Sequence, residues 1–306
     1  MIAVIGLGVQ GTKRLAIAGS GIRVDPVSPD AQYAGIEQVP LDAYTAAYVC
    51  TPDAPKYRIV RYLVEHGKHV LIEKPFTLAG HEYDDLRALQ ERTGSTVYVA
   101  YNHRFEPHIA AVKDILDRGA IGEIYTASLS YGNGTAALVR SSPWRDQGLG
   151  VVADLGSHLL DMVDFWWGLD GRSIDVIDAA RHENQAWDHA QFRISGTPTV
   201  YAETTLLSWR NDFSCRIRGS AGSVEISSLC KWGPTSLIER GRVLPSGRPD
   251  ERITTLVQAD PTWALEHAYF HDLIERGERG NLGTSQHITR MLDQAQQLLD
   301  AGPATP

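Results

Sequence analysis

Three cysteines in 306 residues, Cys50, Cys215 and Cys230, are too few and too scattered to frame a fold with disulfides or to hold a metal. Their scarcity predicts a reduced, intracellular protein. Positive charge is also in short supply: 29 Lys and Arg face 37 Asp and Glu, for a net charge of −8. That sign excludes a nucleic-acid footprint, and no basic cluster overrides it. No apolar run approaches the roughly 18 residues of a membrane span. Met1 runs straight into an apolar strand, which leaves no room for a signal peptide. The expectations are no nucleic acid, no membrane and a cytoplasmic location. The histidines lack ligand spacing. His267 and His271 stand four apart, but without the Glu of a zinc-protease helix, so no metal is expected. Repeats and low-complexity segments are missing as well.

What is present is an ordinary globular composition, 43% hydrophobic and 22% charged. At about 150 residues per domain, the length suggests two domains. Apolar strands are predicted at 2–5, 22–24, 47–50, 69–72 and 96–100, with helices at 9–19, 55–66 and 80–92 between them. Such alternation implies a parallel sheet covered on both faces. A different pattern begins after Tyr101-Asn102-His103-Arg104. There a helix at 107–118, a strand at 123–131, a polar loop to about 150 and a helix at 153–167 follow one another. Strand-like runs then succeed each other at 174–180, 190–194, 200–207, 213–218 and 223–227, which favours an antiparallel sheet. Helices at 262–276 and 284–300 close the chain. The predicted fold class is α/β: a Rossmann dinucleotide-binding domain over 1–103, then an α+β domain over 104–306 with a large, mainly antiparallel sheet. The last helices are free to pack back on the first domain.

The first strand ends in Gly6-Leu7-Gly8-Val9-Gln10-Gly11, and a helix opens there. The first glycine of such a fingerprint makes the tight turn, the second admits a pyrophosphate, and the third lets helix and strand pack closely. Gly6, Gly8, Val9, Gln10 and Gly11 are therefore candidate cofactor contacts at a helix N-terminus. Asp25 follows the next strand, nineteen residues after Gly6. A carboxylate there can accept from a ribose 2′-hydroxyl and repels a 2′-phosphate, which favours NAD over NADP. The alternative is a turn residue before Pro26. Lys13 and Arg14 could accommodate a phosphate, but they read as ordinary exposed helix residues. Tyr48, in the next strand, lies only 23 positions beyond Asp25, and the stretch between them forms no convincing amphipathic helix.

Further motifs follow in order. Glu73-Lys74-Pro75 stands behind the apolar run Val70-Leu71-Ile72; Asn102-His103-Arg104-Phe105 and Asp154-Leu155-Gly156-Ser157-His158 come later. With the fingerprint, they resemble the glucose–fructose oxidoreductase/inositol dehydrogenase (Gfo/Idh/MocA) family, and the resemblance covers nearly the whole chain. It implies that Lys74 lies near nicotinamide and substrate hydroxyl, where an ammonium can stabilise alkoxide character. It also implies that Glu73 is a cofactor or positioning contact and that the Lys74–Pro75 bond is cis. Thr51-Pro52-Asp53-Ala54-Pro55-Lys56 resembles the family's Thr-Pro-Asn-x-x-His loop beside the cofactor, so Thr51 and Pro52 join the cofactor contacts. Asp53 and Lys56 depart from the pattern. The family usually has a full helix and strand after the position of Asp25, where adenine rests, and this chain looks trimmed there.

Asp154 and His158 are four apart on a helix, hence on one face with Asp161, while Leu155, Leu159, Met162, Val163 and Trp166 form an apolar stripe. An imidazole suits proton exchange with a secondary alcohol, and the resemblance makes Asp154 and His158 the catalytic partners of Lys74. Which of the two takes the proton varies in the family. Trp144 and Arg145 resemble a substrate-loop feature, although Gly148-Leu149-Gly150 departs from the usual triple glycine. Asn102 and Arg104 read as substrate contacts or as hinge structure. Asp154 and His158 also count as substrate contacts. The implied activity is an NAD(P)-dependent dehydrogenase or ketoreductase for a secondary hydroxyl of a sugar, aminosugar or cyclitol, working as a homodimer or homotetramer. Two alternatives stand beside it. One is an NAD-dependent glycosidase without net redox; the other is a non-catalytic NAD- or sugar-binding regulator.

Overall fold

The structure, a computed structural model, describes residues 1–302. The chain forms two compact units. The first combines Met1–Asn102 with Pro261–Thr289, and the second combines His103–Asp260 with the residues from Arg290 onward.

In the first unit, β1 (Ile2–Ile5), β2 (Ile22–Val24), β3 (Ala46–Val49), β4 (His69–Glu73) and β5 (Val97–Ala100) form a parallel sheet in the order β2-β1-β3-β4-β5. Strands β3 and β5 are buried from end to end, and so is the apolar centre of β4, as continuous apolar runs predict: Val70, Leu71 and Ile72 are fully buried. Helices α1 (Val9–Ala18), α2 (Lys56–Glu65) and α3 (Gly80–Thr93) connect the strands. The register sets Val24, Ile5, Val49, Ile72 and Val99 side by side. The segments that follow these positions (Asp25, Gly6, Cys50-Thr51, Glu73-Lys74) therefore emerge at one edge. This is the carboxyl edge at which open α/β sheets bind ligands, around the reversal of strand order at β1. Phe270 and Leu273 of α7 (Thr262–Glu275) pack on the sheet with Tyr48, Leu71 and Tyr98.

The stretch between β2 and β3 holds no α-helix and no extra strand. It carries two single 3₁₀ turns, Ile36–Gln38 and Leu41–Ala43, and one parallel bridge between Val24 and Tyr33. Ile36, Val39 and Tyr44 are buried here, so a compact loop covers the sheet edge.

The second unit is built on an eight-stranded sheet ordered β13-β12-β11-β10-β6-β9-β8-β7. Its strands are β6 (Ile124–Gly132), β7 (Ile174–Ala180), β8 (His189–Ile194), β9 (Thr199–Thr205), β10 (Asp212–Gly219), β11 (Gly222–Ser227), β12 (Thr235–Gly241) and β13 (Glu251–Leu256). All pairs are antiparallel except β6 with β9. Strand β10 shows the alternation: Phe213, Cys215 and Ile217 are buried, Ser214, Arg216 and Arg218 exposed. Helices α4 (Pro107–Asp117) and α6 (Ser157–Trp167) pack together, with Trp166 Nε1 donating to the Ile109 carbonyl at 3.2 Å. A short helix, α5 (Ala136–Arg140), interrupts the loop after β6. Helix α8 (Leu282–Asp300) divides at Thr289, its later residues belonging to this unit.

Candidate active site

The glycine loop of the first unit is fixed by steric demands that differ at each glycine. Gly6 has φ +89°, and a Cβ there would meet the Cys50 carbonyl oxygen at 2.7 Å. A Cβ on Gly11 would lie 1.8 Å from the Gly6 carbonyl oxygen. Gly8 is different: nothing lies within 4 Å of its would-be Cβ. Two glycines thus serve internal packing, and the middle one keeps the approach to the N-terminus of α1 clear, as a pyrophosphate requires. Val9 and Gln10, in the first turn of α1, are exposed beside it.

Asp25 closes this loop from β2. Its Oδ2 accepts from the Leu7 N–H at 2.7 Å, and Oδ1 accepts from the Val27 and Ser28 N–H groups at 2.9 Å. Burial lifts the carboxyl pKa, the three N–H donors hold it down, and the net displacement is below the ordinary carboxylate range. Asp25 is therefore both a turn residue and a fixed negative charge against the glycine loop. Thr51 adds a buried Oγ1 with no protein partner, and Pro52 beside it is exposed. A polar atom in that condition costs stability unless a ligand or water satisfies it. Open Gly8, anionic Asp25 and the Thr51 hydroxyl together fit a dinucleotide.

Lys74 sits at the end of β4, half-buried, with a cis bond to Pro75. Two buried cations brace its neighbours. Arg14, 1% exposed, donates to Glu73 Oε1 at 2.7 Å and to Glu266 Oε2 at 2.5 Å, and lies 4.4 Å from the Trp263 ring centroid. Burial opposes the guanidinium charge, but Glu266 and Glu73 outweigh it and raise its pKa. Arg14 is thus not the exposed helix residue expected from sequence, because Glu266 of α7 supplies a partner that local sequence does not show. Glu73 is accordingly held by Arg14 in a positioning arrangement. The second cation is Lys56, 3% exposed, whose Nζ donates to Asp53 Oδ1 at 2.8 Å, the Glu73 carbonyl at 2.7 Å and the Pro75 carbonyl at 2.6 Å.

In the second unit, the helix carrying Asp154 and His158 is not a plain α-helix. Val152–Gly156 forms a π turn leading into α6. Bonds there close from i to i+5, so four-residue spacing no longer fixes a shared face. Asp154 is 40% exposed and pairs with Arg145 at 3.6 Å. His158 is 7% exposed, its ring 3.9 Å from that of His103 and 6.0 Å from that of Tyr131. Lys231 Nζ stands 2.9 Å from His103 Nε2 and donates to Tyr131 Oη at 3.3 Å. Because an ammonium only donates, His103 Nε2 is an acceptor and the ring proton belongs on Nδ1.

Asp161 does not join this polar group, contrary to the expectation from spacing. It is fully buried and takes a two-oxygen grip from Arg104 Nε at 2.8 and 2.9 Å, while Arg104 Nη2 also reaches Asp164 at 3.1 Å. Burial pushes the Asp161 carboxyl up to about 6, against the pull of Arg104. The Arg104 guanidinium is therefore engaged in anchoring α6. Asn102, in the first unit, donates from Nδ2 to Thr262 Oγ1 at 2.8 Å and ties the end of β5 to α7. Trp144 is 64% exposed on a loop that Asp146 fastens through the Ala186 N–H at 2.9 Å.

Local sequence does not show the buried ionic roles of Arg14, Lys56 and Glu266, nor His103 and Tyr131 beside His158 with Lys231 against both of them. One signal was available for Lys56. It departs from the family pattern together with Asp53, three residues before it, and the two departures carry opposite charge. Among the described residues, no three His, Cys, Asp or Glu gather as metal ligands, and no helix is long and apolar enough to cross a membrane.

Comparison with known proteins matches both units. Residues 26–101 match the family model for the oxidoreductase family, NAD-binding Rossmann fold, and residues 109–225 match the Gfo/Idh/MocA C-terminal domain. Scyllo-inositol 2-dehydrogenase (NADP(+)) of Bacillus subtilis is 27% identical over 161 residues, covering 51% of this chain and 44% of that protein. The chain spans about half the length of the curated relatives it matches. Levoglucosan dehydrogenase in complex with NADH has the same fold, at TM-score 0.82 and 18% identity, over 98% of this chain and 96% of the other. An inositol dehydrogenase homologue from Azotobacter vinelandii, complexed with NADH and myo-inositol, aligns at TM-score 0.75 and 19% identity, over 98% and 95%. With an NAD-binding Rossmann domain in the first half and the matching C-terminal domain behind it, the chain belongs to the Gfo/Idh/MocA oxidoreductase family.

Proposed function

We propose that this protein is an NAD-dependent dehydrogenase or ketoreductase that interconverts a secondary hydroxyl and a ketone on a sugar, aminosugar or cyclitol. The observation that carries the reading is the carboxyl edge of the first sheet. There an open glycine, an anionic Asp25 and a lysine braced on both sides follow neighbouring strands. Gly6, Gly8, Val9, Gln10, Gly11, Asp25, Thr51, Pro52 and Glu73 would hold or frame the dinucleotide. The nicotinamide, when bound, is the redox partner of the substrate carbon. Asp25 favours a free ribose 2′-hydroxyl. Arg14 is occupied by two carboxylates, so it is not available to a 2′-phosphate.

In this reading Lys74 donates a hydrogen bond to the reacting oxygen and stabilises its developing negative charge. His158 takes the hydroxyl proton in the oxidising direction and returns it in reduction. Asp154, with Arg145, orients the substrate, and Trp144 lies against its ring. Inositol and levoglucosan, named for relatives and structural neighbours, set the chemical class of candidates. A homodimer or homotetramer in the cytoplasm completes the proposal. The test is nicotinamide absorbance with NAD⁺ and a panel of polyols and sugars, for wild type, Lys74→Ala and His158→Ala. Reduction by wild type, falling at least about 100-fold in both variants while they remain folded, is expected. Unchanged turnover in both variants contradicts the assignment of roles.

A further inference from the structure

We infer that Lys56, working as a pair with Asp53, is the positioning residue for Lys74; this rests on the role proposed above for Lys74. An ammonium has three N–H donors, and all three directions of Lys56 Nζ are accounted for. One goes to Asp53, and the other two go to the carbonyls of Glu73 and Pro75, the residues on either side of Lys74. A single group thereby fixes the peptide before Lys74 and the residue after it.

Apart from Asp53, the local setting disfavours a cation at this position. Lys56 is the first residue of α2, where the helix dipole opposes positive charge. It is also 3% exposed, and burial pulls its ammonium pKa below the ordinary value; Asp53 opposes that fall and Lys74 adds to it. An apolar side chain of similar length would fill the same volume without a buried charge. It would also leave the Glu73 and Pro75 carbonyls without this donor. Asp53, 60% exposed on its own side, supplies the counter-charge from solvent-facing ground. The two family departures at 53 and 56 thus form one exchange: a charged pair whose output is the geometry of Lys74.

The experiment compares wild type, Lys56→Met, Asp53→Ala, Lys74→Ala and the Lys56→Met/Lys74→Ala double variant. Hydrogen exchange on the cofactor-free proteins is read over the peptide that contains residues 73–77. Exchange at least about 10-fold faster in Lys56→Met, with β1 unchanged, is expected. NADH affinity, by calorimetry, should stay within about 3-fold. Turnover of the best polyol from the panel should fall about 10- to 100-fold, the penalty of a misplaced catalytic group. In the Lys74→Ala background, Lys56→Met should cost nothing further, since groups acting through one another are not additive. Asp53→Ala, at an exposed loop position, should show the same pattern at about 3- to 10-fold, and it carries the test if Lys56→Met does not fold. Wild-type turnover in folded Lys56→Met or in Asp53→Ala overturns the inference. So does an undiminished loss on top of Lys74→Ala. Wild-type turnover in Lys74→Ala itself would instead count against the proposed function, leaving the exchange result to report on the brace alone.

Discussion

Replacing Arg14 with methionine tests whether the first unit depends on its buried ion triad. The substitution keeps most of the side-chain volume and removes the one guanidinium shared by Glu73 and Glu266. Glu266 is fully buried and Glu73 only 12% exposed, so neither carboxylate can be rehydrated without opening the unit. Breaking a buried pair from one side costs about 3–5 kcal/mol, because the remaining charge is left uncompensated. Losing the guanidinium over Trp263 adds about 1 kcal/mol, which a methionine sulfur against the indole partly offsets. For a unit of roughly 100–150 residues, each kcal/mol shifts Tm by about 3–6 °C. Thermal unfolding followed by circular dichroism near neutral pH should then show a fall of about 10–30 °C. Arg14→Met/Glu266→Gln should recover at least half of it, since the stranded charge is removed together with its partner. A single variant within about 1 kcal/mol of wild type, or a double variant no better than the single, would refute the argument.

The glycine loop separates packing from binding. Gly8→Ala should fold at wild-type stability or slightly above, because φ is −68° and the added methyl meets nothing, yet lose at least about 10-fold in NADH affinity. Gly11→Ala should lose the folded first unit, since its methyl is driven into the Gly6 carbonyl; calorimetric unfolding compares the two. Asp25→Ser should weaken NADH and strengthen NADPH, each by about 10-fold, in direct titrations. Asp25 has a lowered native pKa, so its stabilisation is present above the unfolded value near 3.9 and lost as pH falls; Asp25→Ser should lack that component. Asp161 has the opposite sign. Its native pKa of about 6 exceeds the unfolded value near 3.9, so its contribution is full below about pH 4 and is lost as pH rises to 6. Urea midpoints of wild type should carry this slope, worth up to about 3 kcal/mol, and those of Asp161→Asn should not.

The parts of this fold that showed in the sequence are those whose environment is set by neighbours along the chain. Val70-Leu71-Ile72 could only be a strand buried on both faces, and it is. The short stretch after Asp25 lacked helical periodicity, and it forms 3₁₀ turns. Partners remote in sequence were invisible. Arg14 looked like a solvated helix residue because Glu266, 252 positions away, decides its burial. Lys231 lies in a stretch without a readable pattern, and only the fold sets it against His103. Strand β13 was missed because five of its six residues are exposed, so it offers backbone pairing and no alternation. The π turn at Val152–Gly156 has the same apolar stripe as an α-helix, and hydropathy does not distinguish them.

The most direct test of the central claim is a calorimetric titration of the purified protein, freed of any retained cofactor, with NADH and separately with NADPH. NADH should bind, and more tightly than NADPH by at least about 10-fold, through the open loop at Gly8 and the carboxylate of Asp25. Binding of neither dinucleotide would contradict that claim, and would leave the braced Lys74 without the cofactor its position implies.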